Sequence, residues 1–307
     1  VTTKIKHPPI WKALFGVSIC ALLWGSAFPS IKSIYSTWQN DQIEITAFSR
    51  WWLAGIRFTI AGFILLLLSK SPWQAIKRTP LPPLIGMALC QTFLQYIFFY
   101  TALVYGSGSL NSLMTASGSF WWLLLAPLFG KAAWGGWKVW GILLLGALGV
   151  SIAVYSPQDP SKNAPLSILI MLLANLCGTL AILFFGKVKP TMSTRVATGI
   201  SLLTGGLGLC LIGSPVIGST TKLFPPSVIT TTLYLSIVSA IAFSIWNELS
   251  TRYPVALLAT YRFLIPISGV LLSITFIPED SFNLMILIGT SIVAIAMVLA
   301  TKLSPKL

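Results

Sequence analysis

The side chains with the most chemistry to offer are cations set inside apolar sequence. Arg262 stands about eight residues into the run Pro254–Ile277, one helical turn before Pro266. That places it several ångströms inside a hydrocarbon boundary. An arginine at a helix centre costs about 2.5–3.5 kcal/mol even on lenient scales, so it must face a cavity or a partner. It can anchor a carboxylate or phosphate. Alternatively it pairs with Glu248 at a neighbouring helix end, or bonds carbonyls that Pro266 leaves without an amide donor. Lys32 lies toward the outer leaflet, where a long side chain can reach headgroups, but it follows Pro29, which can kink the first apolar run and expose carbonyls, so it can instead face the pathway. Arg50 lies where a long side chain reaches headgroups, whereas Arg57 lies deeper and either locks helices together or touches substrate.

Uncharged polar residues sit in the same runs. Gln91 and Gln95 are four apart, so a helix projects them from one side near mid-membrane. Asn175 is central in its run, with Thr179 four residues on, and Ser26 and Ser30 stack likewise. Such groups contact substrate or hold helices together. Trp24, Tyr96, Trp121, Trp122, Trp246 and Tyr261 lie away from loop positions, where they line a pocket, pack, or form interfacial belts. The candidate substrate-binding set is Trp24, Lys32, Gln91, Gln95, Asn175, Trp246, Tyr261 and Arg262. No acidic residue falls deep in an apolar run, and His7, the sole histidine, lies in the N-terminal tail. No phosphate-cradling glycine motif, nucleophilic triad or metal-ligand spacing can be assembled, so no catalytic residue, metal or cofactor is expected and an enzyme is disfavoured. Cys20, Cys90, Cys177 and Cys210 lie inside apolar runs and read as small buried side chains.

The elements that carry these residues must be membrane spans. The 307 residues are 55% hydrophobic and 8% charged, with a mean hydropathy of +0.86. A soluble domain carries about 25% charged residues to solvate its surface. The net charge of +14 would suit nucleic acid, but the basic residues fall in short gaps between apolar runs. A bilayer core takes about 20 apolar helical residues. Ten segments qualify: Trp11–Tyr35, Ile43–Ser69, Leu81–Val104, Ser107–Gly130, Gly135–Tyr155, Pro165–Lys187, Met192–Ile217, Pro225–Glu248, Pro254–Ile277 and Phe282–Lys302. The first is expected to stay as a span, although Lys4, Lys6 and Lys12 precede it and Gly25-Ser26-Ala27 could pass for a cleavage site.

Charge orients the spans. With the N-terminus inside, the cytoplasmic side holds Lys4, Lys6, Lys12, Lys70, Lys77, Arg78, Lys131, Lys138, Lys187, Lys189, Arg195, Arg252, Lys302 and Lys306. The opposite side holds Lys162 and Lys222, together with Asp41, Glu44, Asp159, Glu279 and Asp280; Glu248 alone among the acids falls inside. The positive-inside rule then places both termini in the cytoplasm.

The chain reads as two copies of five helices, residues 1–155 and 156–307. Leu103-Val104-Tyr105 turns into Ser107–Gly130 and Gly141–Gly146; Arg252-Tyr253-Pro254 leads likewise into Val255–Ile277 and Gly289, about 147 positions later. An odd number of spans inverts the second copy, and such repeats put substrate near the midplane between the halves.

These residues resemble the EamA-type transporters of the drug/metabolite transporter superfamily across nearly the whole chain. Leu22-Leu23-Trp24-Gly25-Ser26-Ala27-Phe28 with Ile31-Lys32 is similar to that family's opening helix, and Arg57-Phe58 with Ala61-Gly62 to its second. Tyr100-Thr101-Ala102-Leu103 resembles the end of the third helix, Leu235 to Asn247 the eighth, and Pro266 with Glu279 the ninth. Gly118-Ser119 and Lys131 stand where the first half should repeat that proline and acid, and Arg262 is outside the family pattern. The resemblance implies transport without specifying a substrate.

The expected fold is all-α: a polytopic membrane protein of ten transmembrane helices in two inverted five-helix repeats. The expected function is a secondary transporter or exporter in the inner or plasma membrane. It moves a small zwitterionic or anionic metabolite, an amino acid or related compound, by alternating access. The embedded cations without carboxylates motivate the charge class. Export of organic phosphates or drugs, or a non-transporting scaffold, are the alternatives. The partners expected are a small-molecule metabolite and the lipid bilayer, without nucleic acid, and a homodimer is the candidate assembly.

Overall fold

The computed structural model describes residues 9–106, 111–112, 114–130, 136–154, 163–276 and 284–303. Lys4, Lys6, His7, Lys131, Asp159, Lys162, Glu279, Asp280 and Lys306 lie outside the described residues. Within them the chain is helical, and no strand occurs. The main helices are α1 (Ile10–Asn40), α2 (Ala47–Leu67), the short α3 (Pro72–Arg78) and α4 (Leu81–Tyr105). Then come α5 (Ser117–Leu125), α6 (Trp137–Val154), α7 (Ala164–Val188) and α8 (Thr194–Gly213). The last four are α9 (Pro226–Arg252), α10 (Val255–Tyr261), α11 (Leu264–Phe276) and α12 (Leu284–Leu303).

Six of these stretches are long and apolar enough to cross a membrane, those of α1, α2, α4, α7, α8 with its extension to Leu223, and α9. The outward faces of these helices, and of α6 and α12, carry large apolar side chains such as Leu67, Leu144, Leu211 and Leu287, each more than half exposed. A continuous apolar exterior of this kind suits acyl chains and not water. The chain is a multi-pass membrane protein.

Local chemistry sets several boundaries. Thr46, Asn163 and Ser193 cap α2, α7 and α8 by accepting the amides of Ser49, Leu166 and Val196. The run Pro254–Ile277 is not one helix but two. Pro266 has no amide to give the Arg262 carbonyl, which accepts the Ile265 amide instead at 3.0 Å, and the Phe263 amide turns back to the Thr260 carbonyl at 3.2 Å. The segment before α5 breaks in the same way without a proline: the Gly118 amide donates to Thr115 O at 3.2 Å and that of Ser119 to Ala116 O at 3.0 Å. The breaks at Thr115 and Arg262 are 147 positions apart in the chain. A third irregularity is a π-helical turn in α4 over Leu89–Leu94.

Helices close in through small residues, since lipid supplies no hydrophobic drive between them. The α2–α8 contact brings backbone close to backbone: a β-carbon on Gly62 would stand 2.3 Å from the Leu203 amide nitrogen. On α1, a β-carbon on Gly25 would meet the Gly269 nitrogen of α11 at 2.8 Å. α6 pairs with α12, while α1 packs on α9 and α4 on α7. These contacts hold α1, α2, α4, α7 and α9 around a common centre, with the two broken segments reaching into it.

Candidate substrate cavity

The centre is a cavity. Its wall takes Trp24 and Phe28 from α1, Arg57 from α2, Gln91, Gln95 and Tyr96 from α4, and Thr115 at the first helix break. The rest comes from Asn175 and Gly178 of α7, Phe243, Trp246 and Asn247 of α9, and Arg262 with Ile265 at the second break. It encloses about 80 Å³ open to the centres of water molecules. At 10–15 Å³ per water this is room for roughly six waters, or one small organic molecule.

Arg262 is fully packed in this wall. Its Nη2 donates to Asn175 Oδ1 at 3.3 Å, its guanidinium lies 5.8 Å from the Trp246 ring centroid, and its Nε has no partner among the described residues. Gly118 makes space for it, because a β-carbon there would fall 2.5 Å from Arg262 Cζ. The break between α10 and α11 puts the side chain here.

The alternative pairing of Arg262 with Glu248 is not formed. Glu248 bonds Lys189 at 2.8 Å and Arg252 Nε at 2.7 Å, and it also accepts from Thr194. All three partners belong to the same helix ends as Glu248, away from the break where Arg262 sits.

Arg57 is a second buried cation. Its Nε donates to Ser239 Oγ at 2.9 Å and to Leu235 O at 3.2 Å, and its Nη1 to Tyr100 Oη at 3.3 Å. Its guanidinium lies over the Phe58 ring at 4.8 Å and near Tyr96 at 5.9 Å. It ties α2 to α4 and α9, as the locking reading expects, and it also lines the cavity.

The amides form a polar floor. Asn247 Nδ2 donates to Gln91 Oε1 at 3.1 Å and to Thr198 Oγ1 at 2.9 Å. Asn175 Nδ2 donates to the carbonyls of Met114 at 3.1 Å and Met171 at 2.9 Å, which fixes its Oδ1 toward Arg262. Gln91 Nε2, Gln95 Oε1 and Trp24 Nε1 are buried with no partner among the described residues. Gln91 lies within the π turn and Gln95 directly follows it; the wider turn still leaves both on the cavity side.

Of the eight residues read from the sequence, Trp24, Gln91, Gln95, Asn175, Trp246 and Arg262 are brought together here. Lys32 and Tyr261 are not. Lys32 is exposed, because the inward face of α1 runs through Trp24, Phe28 and Ile31, and the next residue is turned about 100° away. Tyr261 is 2% exposed and packs in the apolar cluster that includes Leu257 and Leu258. Absent from the eight are Arg57, Thr115, Asn247 and Phe243. Arg57 had a signal in its depth and Asn247 in its place one residue after Trp246. Thr115 had none until the helix break was visible.

The lining includes no carboxylate among the described residues. Nor do those residues hold a cluster of His, Cys, Asp and Glu able to bind a metal. Buried guanidiniums, amides and aromatic rings around a small space can hold a polar molecule and let it go.

Fold and cavity thus define a helical membrane protein with a cavity in its interior. No protein-family profile matches the chain. It is 26% identical over 232 residues, 71% of this chain and 74% of the other, to a probable amino-acid metabolite efflux pump of Escherichia coli (strain K12). A crystal structure, identified only as that of a protein, matches with a TM-score of 0.69 over 95% of this chain and 98% of its own. At 17% identity that likeness speaks for the fold alone. The distant relative supports a membrane exporter in general, and a transporter in preference to an enzyme.

Proposed function

We propose that this chain is an EamA-type secondary transporter that exports a small anionic or zwitterionic metabolite, an amino acid or related compound, by alternating access. One observation carries the proposal: a central cavity, walled by Arg57 and Arg262 and by no carboxylate among the described residues, lies where residues 1–155 meet residues 156–307. The likeness to a probable efflux pump supports the direction of movement.

Ten spans in two inverted repeats make this mechanism work. In support, the helix breaks fall at positions 115 and 262, matching the 147-residue offset read from the sequence. The packing is consistent with the same exchange. Pairing each helix with its counterpart maps α2–α8 and α6–α12 onto themselves, α1–α9 onto α7–α4, α2–α9 onto α8–α4, and α1–α11 onto α7–α5. Broken helices facing a cavity are where membrane transporters place their sites, since free backbone groups are tolerated only there.

Rocking one half against the other would exchange polar ties that now join them, the mid-membrane bonds of Arg57 to Ser239 and of Asn247 to Gln91 included. At one end such ties include Thr79–Thr191 at 2.9 Å, Arg195 to Leu68 O at 2.9 Å and Tyr253 Oη to Pro9 O at 3.2 Å. At the other end Trp38 Nε1 donates to Leu223 O at 2.7 Å and Ser167 Oγ to Ala102 O at 3.0 Å. The basic bias of the helix ends supports cytoplasmic termini in an inner or plasma membrane.

The test is two-sided accessibility. A single cysteine at Ala174, on a background lacking the four native cysteines, is expected to react with membrane-impermeant reagents from either face in turn. Reaction from one face under all conditions contradicts alternating access and favours a fixed scaffold.

A further inference from the structure

The polar atoms of the cavity are unevenly matched. Three side-chain donors on residues that line it are buried without a partner among the described residues: Arg262 Nε, Gln91 Nε2 and Trp24 Nε1. Of its amide oxygens, Asn175 Oδ1 accepts from Arg262 and Gln91 Oε1 from Asn247, while Gln95 Oε1 is buried without a partner among the described residues. Its fixed charges are two guanidiniums. Glu248, the carboxylate next to the site in sequence, is held by Lys189 and Arg252.

From this asymmetry we infer that the cavity selects a carboxylate that carries a flat apolar body and no ammonium group, such as an arylalkanoic or aryl-substituted 2-oxo acid, over the matching amino acid. The inference rests on the cavity being the transport site. A carboxylate accepts hydrogen bonds without donating any, which suits free donors beside a guanidinium. An ammonium needs acceptors and an anion. Cation–π contact is its usual substitute, but here the Trp246 face lies under Arg262 at 5.8 Å and the Tyr96 face near Arg57 at 5.9 Å. An ammonium seated on either ring would stand beside a like charge.

The body follows from the apolar wall. Trp24 meets Phe243 at 5.3 Å and Trp246 at 5.6 Å between ring centroids, and Phe28 meets Phe99 at 5.7 Å. Space for roughly six waters corresponds to about 180 Å³ of liquid, enough for one ring and a short acid chain.

Three compounds of one shape separate the charges: 3-phenylpropanoate, phenylalanine and phenethylamine. Titration calorimetry of the purified full chain near neutral pH should find the acid bound at least about tenfold more tightly than the amino acid, with the amine weakest, as the like-charge penalty requires. Arg262→Gln should erase the preference. Should that variant fail to fold, Gly118→Ala, which pushes the guanidinium aside, is expected to reduce it. Phenylalanine or phenethylamine binding as tightly as the acid, or no binding of the acid, overturns the inference. Vesicle transport separates the two levels. Arg262-dependent movement of amino acids without preference for the acid ends this selectivity and leaves the transporter standing. Absence of any protein-dependent transport ends both.

Discussion

Gly118 is the surface on which the Arg262 guanidinium rests, and adding one methyl group there isolates what that guanidinium does. The new β-carbon would stand 2.5 Å from Cζ and 2.6 Å from each terminal nitrogen, against 3.4–4 Å for ordinary contact. The guanidinium must retreat by about 1 Å to restore contact. Its hydrogen bond to Asn175 Oδ1 is already 3.3 Å long, so this movement disrupts it and turns the charge from its present aim. The obstacle is the free end of a long side chain, so the backbone can stay. Alanine in a helix is favoured over glycine by about 0.5–1 kcal/mol, which offsets part of the rearrangement. Anion binding should fall by the worth of one charge-assisted hydrogen bond, about 1.5–3 kcal/mol, or roughly 10- to 150-fold in Kd. Calorimetry with 3-phenylpropanoate reads the affinity and thermal unfolding reads the fold. Gly62→Ala is the contrast: its β-carbon would meet the Leu203 backbone nitrogen at 2.3 Å, so it should lower stability sharply. Unchanged affinity in a well-folded Gly118→Ala protein would refute the role given to Arg262. Unfolding as severe as that of Gly62→Ala would refute the claim that the side chain yields.

Arg57→Leu removes three hydrogen bonds to a buried cation, so it should cost at least about 2 kcal/mol and lower the thermal midpoint by several degrees; an unchanged midpoint would deny the tie between α2, α4 and α9. Glu248→Gln cuts contacts to Lys189 and Arg252 that are partly exposed, so a loss of about 0.5–1.5 kcal/mol is expected after allowing for solvent screening. Combined with Arg262→Gln, its effect should add within about 0.5 kcal/mol, because the two residues share no contact; larger coupling would restore the pairing excluded here. Lys32→Gln, at an exposed position, should leave transport within about twofold of the parent, and a severe loss would place Lys32 in the pathway.

The helices were legible because a bilayer demands long apolar runs, and Ala164–Val188 and Pro226–Arg252 differ from the expected bounds by a few residues. Most of the cavity was legible for a related reason: Gln91, Asn175 and Arg262 are expensive in lipid, so their presence announces a protected place. What the sequence hid depends on geometry. Proline marks the break at Arg262, but nothing in Thr115-Ala116 marks its counterpart, which forms through local amide turns. Lys32 misled because a cation after Pro29 resembles a pathway residue, whereas helical phase turns it outward. Arg57 and Asn247 were visible as residues, but their distances to Tyr100, Ser239 and Gln91 exist only once α2, α4 and α9 have packed.

The central claim is that a small anionic or zwitterionic metabolite crosses the membrane through the cavity that Arg262 commands. Purified full-length chain in sealed vesicles, assayed over a panel of metabolites of each charge class, tests it directly. The account predicts saturable, protein-dependent movement of anionic or zwitterionic compounds, lost in an Arg262→Gln variant that keeps its thermal midpoint. Clear transport of organic cations with none of the anionic or zwitterionic compounds, or normal transport by that stable variant, would contradict it.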